Sequence, residues 1–155
     1  IIKMIISNNS KAKGLRYSKI YNIKKKIFDF ENILSEKKII HELKKANINL
    51  ICLAGFMKIL SKSFIKNFKG KILNIHPSLL PKYKGLNTHE KAIRNKDRYS
   101  GCTVHFVNSK LDSGKIINQK KVRINKFDTP QTLAKKILIQ EHKLYPAAIM
   151  KILSP

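Results

Sequence analysis

Short β-branched runs alternate with helix-compatible segments along most of this chain, and that alternation limits its fold more than any other feature. "IIKMIIS" at the start, "KKIFDF", "INLICLAGF" and "KILNI" each have the length and apolar content of a buried strand. Between them, "LRYSKIYN" suits a short helix, and "EKKIIHELKKA" repeats Ile39, Ile40 and Leu43 at helical spacing, with Ser35 expected as its cap. "SKSFIKNF" reads as a further helix, as does "THEKAIRNK". "GCTVHFV" and "KIINQKKVRI" read as two more strands, and Thr129 with Pro130 opens a final helix through "PQTLAKKILIQEHKLYPAAIMKIL". Strands joined by helical crossovers pair in parallel. The expected architecture is an α/β fold: an open, mostly parallel, Rossmann-like sheet with helices on both faces and an antiparallel strand or two near the end.

In such sheets ligands collect beyond the carboxyl ends of the strands. Two neighbouring ends stand out. After "LICLA" come Gly55, Phe56 and Met57, and "KILNI" runs into "NIHPSLLPKYKG" (74–85), which places an amide and an imidazole two positions apart before a Pro. In extended chain such residues face the same side. An amide NH2 can donate to a developing oxyanion, and an imidazole can exchange a proton with a nearby amine. Asp112 in "KLDSGK", beside a Gly that permits a tight loop, is the carboxylate best suited to hold that imidazole charged and oriented. Taken singly, each of the three is a weak signal, since an Asn or His at a strand end more often makes structural turn hydrogen bonds.

Length suits one domain with a real core, and a 43% hydrophobic fraction argues against disorder. No apolar run reaches the ~20 residues of a membrane span. The first residues lack a signal-peptide pattern and an initiator Met, which suggests a chain that begins inside a longer protein. Cys52 and Cys102 sit in strand-like surroundings and are expected to be two buried thiols in a reducing cytoplasm. With 33 Lys and Arg against 9 Asp and Glu, the formal net charge is +24. That excess would suit a nucleic-acid surface. The lysines, however, spread through every segment in a chain rich in Ile and Asn, without finger spacing, an aromatic RNA-binding motif or a repeat, which is the pattern of compositional drift. Cys102, His76, His105 and His142 lack the paired spacing of a zinc site. "DSGK" is not a full phosphate loop, and no Gly-x-Ser-x-Gly elbow is present. His105 reads as a structural histidine, His41 as a helix-surface residue, and His89 and His142 as helix residues near the site.

"LNIHPSLLPKYKGLNTHEKAI" resembles the signature of the phosphoribosylglycinamide formyltransferases, folate-dependent enzymes of purine synthesis. The resemblance continues through "ICLAGFMKIL", "GCTVHFV", "LDSGKII" and "QEHKLYP", in order and at about the family's spacing, and covers nearly all of residues 1–155 as a single domain. It implies transfer of a formyl group from 10-formyltetrahydrofolate, as co-substrate, to the amine of glycinamide ribonucleotide, with no metal and no nucleic-acid or membrane partner. By resemblance Asn74 stabilises the oxyanion, His76 is the general acid, and Asp112 keeps the His basic and positions water. Met57, Lys58, Ile59 and Leu60, with Asn74 and with Asn108, Ser109, Lys110, Leu111 and Asp112, would line the folate pocket. Gln140 and Glu141 would face the ribonucleotide. Two features depart from the family: "IIKMIIS" matches its second strand, so its first strand and Gly-Ser-Asn phosphate loop have no counterpart in residues 1–155, and Lys58 stands where Arg is common. A formyltetrahydrofolate deformylase would share the Asn, His and Asp chemistry but carries a different loop after the His. A methionyl-tRNA formyltransferase would need a C-terminal RNA-binding domain. A basic nucleic-acid-binding module is the reading of a different class.

Overall fold

The computed structural model describes residues 2–30 and 32–154. By their contacts they group into two compact units, Ile1–Asn49 with Lys58–Gly70, and Leu50–Met57 with Lys71–Pro155.

In the first unit β1 (Met4–Ser7) pairs in parallel with β2 (Lys24–Ile27), Met4 opposite Lys24. The chain between them forms a 3-10 turn and α1 (Arg16–Ile20), the crossover expected from parallel pairing. Helix α2 (Ile33–Lys45) buries Ile39, Ile40 and Leu43, the residues at helical spacing. Its cap is Asn32, not Ser35: the Asn32 side chain accepts from the Ser35 backbone N–H at 2.8 Å, so Ser35 lies inside the first turn as the donor. α3 (Lys62–Asn67) is capped by Ser61, whose hydroxyl accepts from Phe64 N–H at 2.9 Å. Buried Glu36 of α2 accepts from the Ser61 backbone N–H at 2.9 Å and from its hydroxyl, joining α2 to the start of α3.

In the second unit β3 (Leu50–Leu53), β4 (Lys71–His76), β5 (Tyr99–Phe106) and β6 (Ile116–Arg123) form one sheet in that order. β3 and β4 are parallel, and the two ladders that follow are antiparallel. Both parallel pairs and both antiparallel late strands are as expected. β3 has no second strand neighbour among the described residues, and Cys52 on it is exposed, whereas Cys102 on inner β5 is buried. The expectation of two buried thiols therefore holds only for Cys102, because an edge strand leaves Cys52 uncovered.

Helices α4 (Thr88–Arg94) and α5 (Pro130–Leu153) supply the rest of the core. Leu73 of β4 and Cys102 and Val104 of β5 pack with Ala92 of α4 and with Leu133, Ile137, Leu144 and Ala148 of α5. Since side chains alternate along a strand, this packing sends Asn74 and His76 to the opposite face. α5 opens with Thr129, whose hydroxyl and backbone exchange hydrogen bonds with Thr132, and with Pro130 at its first position. Among the described residues no helix is long and apolar enough to cross a membrane.

One polar contact ties α5 to the strands that carry the polar face. The Tyr145 hydroxyl is within hydrogen-bond distance of the Leu53 carbonyl at 2.8 Å and of the Leu73 carbonyl at 3.2 Å. Burial raises the pKa of this phenol, so it stays a donor at any ordinary pH. Tyr145→Phe keeps the packing and deletes the donor, and it should lower unfolding free energy by about 1–2 kcal/mol, measured by urea melts.

Candidate active site

Asn74 and His76 close β4, and across the antiparallel ladder they pair with His105 and Thr103 of β5. Backbone register thus puts Asn74, His76, His105 and Thr103 on one face without any side-chain contact being needed. Asp112 arrives from the turn between β5 and β6. Two devices make that turn tight. Asp112 has a left-handed backbone at φ 43°, which Asp tolerates better than most residues. At Gly114 an added Cβ would lie 1.7 Å from the Phe106 carbonyl oxygen, so glycine there permits a close approach of the turn to β5.

The resulting cluster is dense. His76 Nδ1 lies 3.4 Å from Asp112 Oδ2, and His105 Nε2 lies 3.6 Å from Asp112 Oδ1. Both rings are buried, His76 at 5% exposure and His105 at 2%. Asp112 Oδ2 also accepts from the Gly85 backbone N–H at 2.9 Å. On its far side His76 Nε2 donates to the Tyr83 carbonyl at 2.8 Å. Both nitrogens of His76 therefore face acceptors, and only a doubly protonated ring donates to both at once.

His105 is held the other way. Its Nδ1–H donates to the Phe106 carbonyl at 2.8 Å, which leaves Nε2 to accept from the Asn74 amide at 3.4 Å. Burial pushes its pKa below the ordinary 6.5, the charge of His76 pushes the same way, and the Phe106 carbonyl and Asp112 offset part of the shift. A neutral His105 thus fixes which way the Asn74 amide points, while Asp112 lies between the two rings. His89, in the first turn of α4, has its Nδ1 buried without a hydrogen-bond partner among the described residues. Burial first, and His76 second, lower its pKa.

The remaining expected residues divide. Asn108 accepts from Lys110 N–H at 2.9 Å and shapes the loop that leads to Asp112; Ser109, Lys110 and Leu111 on it are exposed. Met57 is 72% exposed in the second unit, while Lys58, exposed Ile59 and buried Leu60 belong to the first. Gln140 and Glu141 lie on α5, on the side of the sheet opposite the Asn74 side chain. Glu141 is half-buried, and burial raises its pKa against a smaller opposing effect of His142. Two contributors had no signal in the sequence, the Tyr83 carbonyl and the Gly85 N–H, because both are backbone groups that any residue could supply.

A family model described as formyl transferase matches residues 1–149. The chain belongs to the formyl transferase family. It is 44% identical over 152 residues to the phosphoribosylglycinamide formyltransferase of Haemophilus influenzae, covering 96% of this chain and 72% of that protein. It is also 40% identical to the trifunctional purine biosynthetic protein adenosine-3 of Gallus gallus over 99% of this chain, but it spans only 16% of that protein's length. Among solved structures, phosphoribosylglycinamide formyltransferase from Bacillus halodurans superposes with a TM-score of 0.92 at 35% identity, over 99% of this chain and 81% of that one. The enzyme from Anaplasma phagocytophilum gives 0.90 at 40% identity, over 96% and 72%. The α/β, Rossmann-like fold expected from the alternation, and the formyltransferase fold that the resemblance implies, are therefore the fold of this chain.

The depressed pKa of His105 has a measurable consequence. A histidine whose folded pKa lies below its unfolded value contributes stability that is complete above about pH 6.5 and lost as pH falls below it, because the unfolded chain binds the proton first. In a titration followed by histidine ring NMR, His105 should have a midpoint below 6.5 and, above that midpoint, carry its proton on Nδ1. A ring protonated on both nitrogens at pH 7 would contradict the assigned hydrogen bonds.

Proposed function

We propose that this formyl transferase domain moves a formyl group from 10-formyltetrahydrofolate to the amine of glycinamide ribonucleotide, the purine-synthesis reaction of the family it resembles. The observation that supports this most is the convergence of Asn74, His76 and Asp112 on one sheet face, with His105 and Asp112 holding the other two in place.

In this reading the amine attacks the formyl carbon, a C–N bond forms, and the carbonyl oxygen takes up negative charge. The Asn74 NH2, oriented by His105, donates to that oxygen. As the intermediate collapses the bond to folate N10 breaks; the amine gives up a proton and N10 gains one. His76 gives its proton to N10 and takes up the one the amine releases, so the ring ends the step as it began, and Asp112 keeps it aligned. The exposed apolar side chains of Met57, Ile59 and Leu111 are of the kind that covers a flat aromatic ligand, and with Lys58, Leu60, Asn108, Ser109 and Lys110 they form the proposed folate-binding set. Gln140 and Glu141 form the proposed ribonucleotide set. The substrates are small molecules, and the setting is a reducing cytoplasm.

Formyl transfer and acceptor-independent formyl release, assayed side by side, separate this activity from a deformylase. Asn74→Ala and His76→Ala should each lower turnover by about 100- to 1,000-fold while formylfolate binding changes little. Asp112→Asn should move the alkaline limb of the pH–rate profile to lower pH, because without the carboxylate the ring gives up its proton more readily. Near-wild-type turnover in His76→Ala would remove it as the essential acid.

A further inference from the structure

The segment that follows His76 does more than connect β4 to α4. Residues 82–85 are held from two sides by carboxylates, in a chain that has only 9 acidic residues. On one side Asp97, in the turn after α4, accepts from the Tyr83 hydroxyl at 2.8 Å and from Lys82 Nζ at 2.6 Å. Asn95 Nδ2 donates to the same Tyr83 oxygen at 2.7 Å. On the other side Asp112 accepts from Gly85 N–H at 2.9 Å, and Lys84 Nζ donates to Ser113 Oγ at 2.6 Å. Tyr83 itself has a left-handed backbone at φ 56°, an uncommon conformation for a bulky aromatic residue, so its surroundings must hold it there. That conformation is the one in which its carbonyl oxygen meets His76 Nε2 at 2.8 Å.

From these contacts we infer that Asp97 is a positioning residue for the reaction: through the Tyr83 hydroxyl it places the Tyr83 carbonyl, and that carbonyl holds the Nε2 end of His76 until a reacting atom takes its place. The inference rests on the proposed role of His76. Nδ1 faces Asp112, so Nε2 is the nitrogen left to serve the reactants. Its present partner is a neutral carbonyl, which a reacting atom displaces at less cost than a carboxylate. Asp97 itself lies outside the cluster and touches neither ring. The charged and titratable groups that bear on His76 are Asp112, His105 of β5 and His89 of α4. Asp97 acts on it only through Tyr83.

Two variants test this in the intact protein. Asp97→Asn weakens the latch while keeping an acceptor, and Tyr83→Phe removes the hydroxyl but leaves the carbonyl. Asp128→Asn is the comparison, because Asp128, just before α5, accepts from the Thr132 hydroxyl at 2.9 Å and from Lys136 Nζ at 2.6 Å and makes no hydrogen bond or ion pair with His76. With the Nε2 acceptor loosened, His76 should lose its second proton at lower pH in both latch variants, as read by ring NMR without substrate. The alkaline limb of the pH–rate profile should move the same way, with kcat down about 10- to 100-fold and KM for both substrates little changed. Asp128→Asn should lower Tm and leave the His76 titration where it was. Wild-type His76 titration in folded Asp97→Asn and in Tyr83→Phe would overturn the inference, as would an equal shift in Asp128→Asn. If the unaltered protein transfers no formyl group while the NMR shift is present, the function fails and the positioning of His76 stands.

Discussion

The carboxylate of Asp112 organises the candidate active site. One oxygen faces His76 Nδ1 and Gly85 N–H, and the other faces His105 Nε2. The His76 ring and the Gly85 N–H replace part of the hydration that burial removes from the carboxylate. It also lets neighbouring rings take different roles. His76 has an acceptor on each nitrogen. His105 has a carbonyl on one nitrogen and an amide donor on the other, and suits the neutral form. Two like rings in one small volume thereby have unlike hydrogen-bond surroundings.

Almost everything else in the second unit serves to deliver that carboxylate and its partners. The β4–β5 register sets Asn74 against His105 and His76 against Thr103, so that two strands provide four polar side chains on one face. The apolar alternate positions, Leu73, Cys102 and Val104, face α5 and supply the burial that holds the ladder together. Tyr145 carries the tie from α5 to the carbonyls of Leu53 and Leu73. The turn before β6 brings Asp112 back over β5 only because Gly114 has no side chain to strike the Phe106 carbonyl. Thr103 adds a further restraint: its hydroxyl donates to the Ser78 carbonyl and accepts from Leu80 N–H, fastening the loop after His76 to β5.

The high positive charge bears on the proposed reaction. Acids are scarce, and three of those in the second unit have specific work: Asp112 among the histidines, Asp97 under Tyr83 and Lys82, Asp128 at the start of α5. The lysines cover both units. A protein with a strongly positive field attracts anions to any cleft it has, and the proposed substrates are both anionic.

Much of this was legible in residue order. Period and length identified the strands, the helices and the parallel-to-antiparallel change, because each depends on local burial patterns. The two-residue spacing of Asn74 and His76 placed them on one face for the same reason. Local signals misplaced the α2 cap, since Ser35 and Asn32 are both competent caps and only the observed backbone shows which side chain accepts and which N–H donates. They also could not tell that Cys52 lies on an edge. The pairing of Asp112 with two rings, the neutral state of His105 and the hold of Asp97 on Tyr83 belong to tertiary structure alone. Each joins groups far apart in sequence through a carbonyl, an N–H or a buried ring, and residue identity does not encode where backbone groups or desolvation will fall.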